Sequence, residues 1–131
     1  MRVFIVLFIL LFEPAFAAER PLSAQEFERM VTGKTFSYAT GGAPYGAEEY
    51  LDNRRVTWTF LDGECIEGKW YPAGDQICFV YDALPDPQCW VFFERGGQLA
   101  ARFAGQSQMT DLFETSEQSE PLYCIGPEIG V

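Results

Sequence analysis

The chain contains no histidine, and this absence excludes several common catalytic and metal-binding arrangements. Without an imidazole, neither a Ser-His-Asp triad nor a Cys-His pair can form. A zinc site would need all 4 cysteines, and their spacing includes no C-x-x-C pair, so we expect no metal ion. A glycine-rich phosphate loop followed by Lys and Ser or Thr is also missing, so we expect no cofactor.

Basic residues are scarce, since 9 Lys and Arg stand against 19 Asp and Glu and the net charge is −10 at pH 7. Nucleic acids and anionic membrane surfaces attract clustered Lys and Arg. This chain has no basic cluster longer than Arg54-Arg55. We therefore expect no nucleic-acid binding, and a basic protein is the better fit for a charged partner.

The N-terminus has the pattern of a secretory signal. Arg2 precedes the apolar run from Val3 to Phe12, and Ala15-Phe16-Ala17 places small residues at the −3 and −1 positions of a cleavage site. This run is about half of the roughly 20 residues that a membrane-spanning helix needs. The sequence therefore predicts a signal peptide over residues 1–17 and a single mature domain over 18–131. It also predicts a periplasmic or secreted location with no stable membrane insertion.

An even number of cysteines in a short exported chain predicts disulfides. The cysteines are Cys65, Cys78, Cys89 and Cys124. A hairpin centred between Ala83 and Leu84 would place Cys78 opposite Cys89. The turn residues Leu84-Pro85-Asp86-Pro87 lie slightly further on, so this pairing needs a small register offset or a bulge. Cys65 and Cys124 would then pair and tie the C-terminal tail to the Asp62-Gly63 turn.

The mature domain is predicted to begin with a short helix. Ser23 and Glu26 match the S-x-x-E capping box, and Leu22 and Phe27 occupy the positions of a hydrophobic staple. Gly33 is placed where a left-handed residue would end the helix. We expect the apolar face of this helix to pack against a sheet.

After this helix, turn residues recur about every eleven residues, the spacing of consecutive antiparallel strands. The pattern predicts a mainly β domain, an antiparallel meander of about seven strands. We expect it to curl into a small barrel or a strongly bent sheet, with the helix closing one end. The predicted strand centres are Ser37, Tyr50, Trp58, Trp70, Phe79, Phe92 and Ala101. Residues 41–46 are predicted as a loop, residues 110–113 as one helical turn and residues 114–120 as a loop.

Aromatic residues make up 16% of the chain and are concentrated in the predicted strands. Such residues either fill the core of a small barrel or line a cavity for a small apolar ligand. The candidate ligand-binding residues are Trp58, Trp70, Tyr71 and Trp90. The favoured function is therefore an exported envelope protein that binds a small ligand or a partner protein without catalysis.

Paired carboxylates are the remaining catalytic option, so a carboxylate-based hydrolase is an alternative function. The candidate acids are Glu48, Glu49, Asp62, Glu64, Glu67 and Glu94. They lie beside turns or on the polar face of strands, so we expect them on a solvated surface.

Several segments between Gly33 and Gly105 match a known group of sequences. They are Gly33-Lys34-Thr35, Tyr45-Gly46-Ala47-Glu48, Arg55-Val56-Thr57-Trp58, Cys65-Ile66-Glu67-Gly68-Lys69-Trp70-Tyr71, Gln76-Ile77-Cys78-Phe79 and Gln88-Cys89-Trp90. Through them the chain resembles a group of uncharacterised exported proteins of alphaproteobacteria. The resemblance implies a small β-barrel of unknown role and transfers no site residues.

Small exported lysozyme inhibitors are also compact disulfide-linked barrels, and an acidic surface would suit a basic lysozyme. A lysozyme-inhibitor-like protein that binds a basic enzyme is therefore a further alternative. The Ser-Gly and Lys-Gly loop motifs of those inhibitors are not evident here, so the analogy concerns fold and charge alone.

Overall fold

One short helix precedes eight strands in the computed structural model, which describes residues 19–105 and 110–125. The predicted signal peptide lies outside the described residues. The helix and strands are α1 (Ala24–Val31), β1 (Thr35–Thr40), β2 (Ala43–Tyr50), β3 (Arg55–Thr59), β4 (Ile66–Ala73), β5 (Gln76–Tyr81), β6 (Gln88–Arg95), β7 (Gln98–Phe103) and β8 (Leu112–Gln118).

The strands form a closed antiparallel barrel. Each strand pairs with the next one in the chain, and β8 pairs with β1 to close the ring. Closure leaves no unpaired sheet edge, which is how a meander of this size satisfies its backbone hydrogen bonds. The predicted mainly β barrel of about seven strands is confirmed, with an eighth strand added by the tail.

The barrel has a closed end and an open end. At the closed end, the side chain of Phe27 is fully buried and its ring lies 4.5 Å from that of Phe92 and 5.6 Å from that of Tyr50. The starts of β1 and β3 and the ends of β2 and β6 lie at this end, under the helix. The opposite end, where β1 ends and β2 begins, has no helix over it among the described residues.

The predicted helix signals act as expected. The Ser23 hydroxyl accepts a hydrogen bond from the Glu26 backbone N–H at 3.1 Å, and the Ser23 N–H donates to the Glu26 carboxylate at 3.3 Å. Gly33 has a φ of 82°, in the left-handed region that a residue with a Cβ rarely adopts. The Leu22 N–H donates to the Phe92 carbonyl at 2.8 Å, which anchors the start of the helix to β6.

Two predictions about loops are wrong. Residues 43–46 belong to β2 rather than to a loop, and only the Gly41-Gly42 turn separates them from β1. The segment Leu112–Gln118 is a strand, not a helical turn followed by an acidic loop. Apart from the exposed Phe113, its outward side chains are polar, but its backbone pairs with β1 on one side and β7 on the other. Barrel closure therefore outweighs the low strand propensity of this acidic segment.

Both disulfides are present with the pairing that the turns predict. Cys78 lies directly opposite Cys89 in the β5–β6 register, and Cys65 is bonded to Cys124. Beside the second bridge, the Ile125 N–H donates to the Gly63 carbonyl at 2.7 Å. Two disulfides indicate an oxidising, extracytoplasmic setting. No helix among the described residues is long and apolar enough to span a bilayer.

Candidate functional site

A cavity of about 50 Å³ lies inside the barrel and reaches its open end. Two sets of side chains dominate its lining. We call Tyr38, Glu48, Tyr50 and Tyr81 the polar cluster, and Tyr45, Trp58, Phe60 and Trp90 the aromatic rim. The lining of the cavity therefore combines one acid and several hydroxyl groups with aromatic rings.

The two-residue period of β2 brings Glu48 into the barrel. Tyr50 points into the core, so the residue two positions before it, Glu48, points the same way. Gly46 is the next inward position, and its missing side chain leaves room for the Trp58 ring. A Cβ at position 46 would overlap that ring and would lie 2.7 Å from the Thr59 carbonyl oxygen. This strand thus supplies both the acid and the space beside it.

The Glu48 carboxyl is buried without a cationic partner. Its side chain is only 2% exposed, and both carboxyl oxygens lie 3.0 Å from the Tyr81 hydroxyl, which donates to them. No Lys or Arg among the described residues forms an ion pair with it. Burial raises the pKa of Glu48 well above its ordinary value of 4.5, and the Tyr81 hydrogen bond offsets only part of this effect.

The three tyrosines of the polar cluster supply neutral hydroxyl groups. The Tyr38 and Tyr50 hydroxyls are hydrogen-bonded to each other at 2.9 Å inside the barrel. Burial raises the pKa of Tyr38, Tyr50 and Tyr81 above the ordinary tyrosine value. A tyrosine hydroxyl both donates and accepts, so this cluster can exchange hydrogen bonds with a polar group in the cavity.

Three rings of the aromatic rim contact one another at the open end. The Trp58 ring lies 5.8 Å from Tyr45 and 5.3 Å from Phe60, and the latter two rings are 5.9 Å apart. Phe60 is 53% exposed, although its ring is in edge contact with Trp58. An exposed aromatic side chain beside a cavity can contact the part of a ligand that remains outside it.

The four predicted ligand-binding residues lie in three different places. Trp58 and Trp90 line the cavity. Trp70 is buried at the closed end, with its ring 5.2 Å from Phe27 and beneath the Arg54 guanidinium at 4.6 Å. Tyr71 is 40% exposed and lies outside the cavity lining. Alternation along β4 explains the separation, because adjacent residues of a strand point to opposite faces.

The six candidate acids do not converge, and the expectation that all of them lie on a solvated surface is wrong for Glu48. Glu49 points to the opposite face of β2 and accepts a hydrogen bond from the Leu122 N–H. Asp62 and Glu64 lie in the β3–β4 loop, and Glu67 and Glu94 are exposed on strands. Glu48 is therefore the one acid of this set in the cavity lining.

A second buried acid, Glu114 on β8, was not identified from the sequence. Its carboxylate accepts a hydrogen bond from the Leu99 N–H at 2.7 Å. The β7–β8 pairing is limited to Ala100 with Phe113 and Ala101 with Leu112, so this carboxylate satisfies a backbone donor beyond the end of the ladder. We assign Glu114 a structural role.

The outer surface of the barrel is a less suitable place for a ligand than the cavity inside it. A hollow of about 310 Å³ lies outside the barrel between Leu51, Arg55, Lys69 and Asp82. Its charged side chains are exposed, so it does not exclude water. Within residues 19–105 and 110–125, no group of three acidic or cysteine side chains could hold a metal ion.

Comparisons of the chain with protein-family models, with curated proteins and with solved structures found no match. The geometry of the barrel is therefore the basis for a functional assignment.

Proposed function

We propose that this protein is a non-enzymatic extracytoplasmic binding protein that takes one end of a small ligand into the open end of its barrel. The observation that supports this proposal is the cavity itself, which brings the buried Glu48 carboxyl together with the aromatic rim. Concave, mostly aromatic sites with a few oriented polar groups are typical of small-molecule binding.

The arrangement favours binding over carboxylate-based hydrolysis. Hydrolysis of a glycosidic bond by carboxylates uses two of them on either side of the scissile bond. Among the described residues, Glu48 is the one acid in the cavity lining, and its carboxyl is hydrogen-bonded to Tyr81. The other buried acid, Glu114, accepts a hydrogen bond from the backbone. A second catalytic carboxylate is thus missing from the described part of the cavity.

The volume of the cavity limits how much of a ligand can enter the barrel. One enclosed water molecule needs roughly 10–15 Å³ of cavity volume measured in the same way. The cavity of about 50 Å³ therefore has room for the head group of a ligand and a few carbon atoms. The rest of the molecule would lie along the aromatic rim, where Phe60 is exposed.

The proposed location is the periplasm or the outside of the cell. The two disulfides support an oxidising compartment. The predicted signal peptide over residues 1–17 supports export of the chain.

Two six-carbon probes, n-hexanol and n-hexylammonium chloride, test the binding proposal by titration of the intrinsic tryptophan fluorescence. We expect a saturable change with at least one of them. Ala101→Leu adds three carbon atoms to the cavity lining and should abolish the change. Tyr71→Ala, on the outer face of β4, should leave it intact. Circular dichroism would establish that both variants fold.

The absence of a saturable change with both probes in the wild-type protein would contradict the proposal. Retention of full binding by a folded Ala101→Leu variant would contradict it as well, because the probe would then bind elsewhere.

A further inference from the structure

We infer that the ligand of the open end is a small primary ammonium compound whose cationic head group pairs with the Glu48 carboxylate. This inference rests on the proposed function, because it specifies the chemical class of ligand for the same cavity. It follows from the hydrogen bonds of Glu48, from the aromatic rim and from the charge of the whole chain.

The carboxyl of Glu48 has unused capacity to accept hydrogen bonds. An ionised carboxylate offers about four acceptor positions on its two oxygens. Among the described residues, a single donor, the Tyr81 hydroxyl, is shared between both oxygens at 3.0 Å. A buried carboxylate with one neutral donor and no cation is costly, whereas a hydrogen-bonded cation compensates its charge. A ligand with N–H donors and a positive charge would occupy the free acceptor positions and would also compensate the charge of the carboxylate.

The surrounding hydroxyl groups suit the remaining protons of an ammonium group. An alkylammonium ion has three N–H donors and no acceptor. Tyr38 and Tyr50 line the same cavity as Glu48, and their hydroxyl oxygens can accept hydrogen bonds. A quaternary ammonium ion has no N–H group and would leave these acceptors unused. The polar cluster therefore favours a primary ammonium ion.

The aromatic rim favours a cation with an apolar chain. Aromatic ring faces attract a cation that lies within about 6 Å of the ring centre, and Trp is the strongest of them. Trp58, Trp90 and Tyr45 all line the cavity beside Glu48. The methylene groups next to the ammonium ion would contact these rings as the chain leaves the barrel.

The negative net charge of the protein also favours a cationic ligand. A net charge of −10 attracts cations and repels anions over distances of about a Debye length. An ammonium ion in the cavity also stabilises the ionised form of the Glu48 carboxyl, whose proton leaves to the solvent as the ion pair forms. A carboxylate ligand would meet like charge both outside and inside the barrel.

A set of three six-carbon probes separates charge from size. n-Hexylammonium, n-hexanol and hexanoate have the same chain and differ in the head group. Their dissociation constants are measured by calorimetric titration against the full disulfide-bonded mature chain. We expect hexylammonium to bind at least about tenfold more tightly than hexanol, the factor typical of one hydrogen bond to a charged group. Hexanoate should not bind.

Glu48→Gln supplies the decisive variant, and Glu49→Gln is its matched control. Both substitutions replace a carboxyl group with an amide at adjacent positions of β2, but only the first changes the cavity. Glu48→Gln should lower the affinity for hexylammonium by about tenfold, to that of hexanol. Its effect on the affinity for hexanol should be smaller, because an alcohol forms no ion pair with the carboxylate. Glu49→Gln should leave the affinities for both probes unchanged.

The negative results of these titrations contradict different claims. Equal binding of hexylammonium and hexanol to the wild-type protein would overturn the ammonium inference and leave the binding function standing. Full hexylammonium affinity in Glu48→Gln would also overturn the inference. The absence of binding by both hexylammonium and hexanol would overturn the proposed function itself.

Discussion

The buried carboxyl of Glu48 lies in an environment that stability alone does not favour. A buried carboxyl without a cation destabilises the folded state unless it stays protonated or gains further hydrogen bonds. Its neighbours in the polar cluster are hydroxyl groups, and one of them donates to it. Groups kept at such a cost are frequent at functional sites, which agrees with the ligand role proposed for the cavity.

The unfolding free energy should show a pH dependence that arises from Glu48. Its pKa is raised above 4.5 in the folded protein, so between 4.5 and that higher pKa the folded state holds a proton that the unfolded chain has lost. Stability therefore falls as pH rises through this window, by up to about 1.4 kcal/mol per pH unit. The tyrosines that face Glu48, namely Tyr38, Tyr50 and Tyr81, stay neutral there because burial raises the pKa of each.

Urea unfolding of the wild-type protein and of Glu48→Gln at several pH values measures this contribution. The variant has no carboxyl at this position, so the stability difference between it and the wild-type protein should grow in favour of the variant as pH rises from 4.5. Glu49→Gln controls for the change in net charge. A constant difference between Glu48→Gln and the wild-type protein across the range would contradict the burial of an unpaired acid.

Gly46 is required because the Trp58 ring occupies the space of its missing side chain. Gly46→Ala would bring a Cβ into that ring and to 2.7 Å from the Thr59 carbonyl oxygen. We expect a loss of about 1–3 kcal/mol in unfolding free energy, as is usual for overpacking in a dense core. Combining it with Trp58→Phe, which shortens the ring system, should recover part of that loss in a double-mutant cycle. A stable Gly46→Ala variant with unchanged tryptophan fluorescence would show that this contact is absent.

The inward position of one glutamate could have been predicted from the sequence. Successive residues of a strand point to opposite faces, so two adjacent glutamates in one strand cannot both face solvent when one face lines the core. The sequence predicts Tyr50 as a strand centre, and a residue two positions before an inward-pointing Tyr50, which is Glu48, also points inward. The prediction of a loop over residues 41–46 conceals this, because β2 in fact begins at Ala43.

At the scale of the elements, local signals predicted α1 and most of the barrel. The capping box, the left-handed glycine and the regular turn spacing are each encoded within a few residues. The strand β8 is different, because its acidic sequence has a low strand propensity of its own. It becomes a strand through pairing with β1, a contact between residues about 80 positions apart such as Ser37 and Ser116. Local patterns contain no information about such a partner.

The two disulfides should contribute unequally to stability. The Cys65–Cys124 bridge closes a loop of 59 residues and the Cys78–Cys89 bridge one of 11. The chain-entropy model gives about 4 kcal/mol for the first and about 3 kcal/mol for the second. Paired Cys→Ser variants at each bridge, compared by urea unfolding, should show the larger loss for the longer loop.

Hydrogen exchange gives a second readout of the same bridge. The Ile125 N–H is hydrogen-bonded to the Gly63 carbonyl next to Cys65–Cys124. Its exchange should accelerate when Cys65 and Cys124 are both serine, and it should remain slow when Cys78 and Cys89 are both serine. Equal exchange of this amide in the two variants would mean that the bridge does not hold the tail in place.

The whole molecule is a barrel with two unlike ends. At the closed end, Phe27 of α1 packs against Trp70 and Phe92 and leaves a filled core. At the open end, Glu48 and the aromatic rim surround a cavity. Sequence patterns predicted that a helix would close one end, but they gave no way to decide whether the other end was filled, because that depends on how eight strands pack together.

The distribution of the 3 tryptophans allows one measurement to test which end binds ligand. Trp58 and Trp90 line the cavity, whereas Trp70 is buried at the closed end. In a two-dimensional ¹H–¹⁵N spectrum each indole N–H gives its own signal, which can be assigned with Trp→Phe variants. Titration with n-hexanol, which is independent of the charge inference, should shift the Trp58 and Trp90 signals along one saturable curve and leave the Trp70 signal in place. A shift confined to Trp70, or saturable binding without any change at Trp58 and Trp90, would contradict ligand binding at the open end of the barrel.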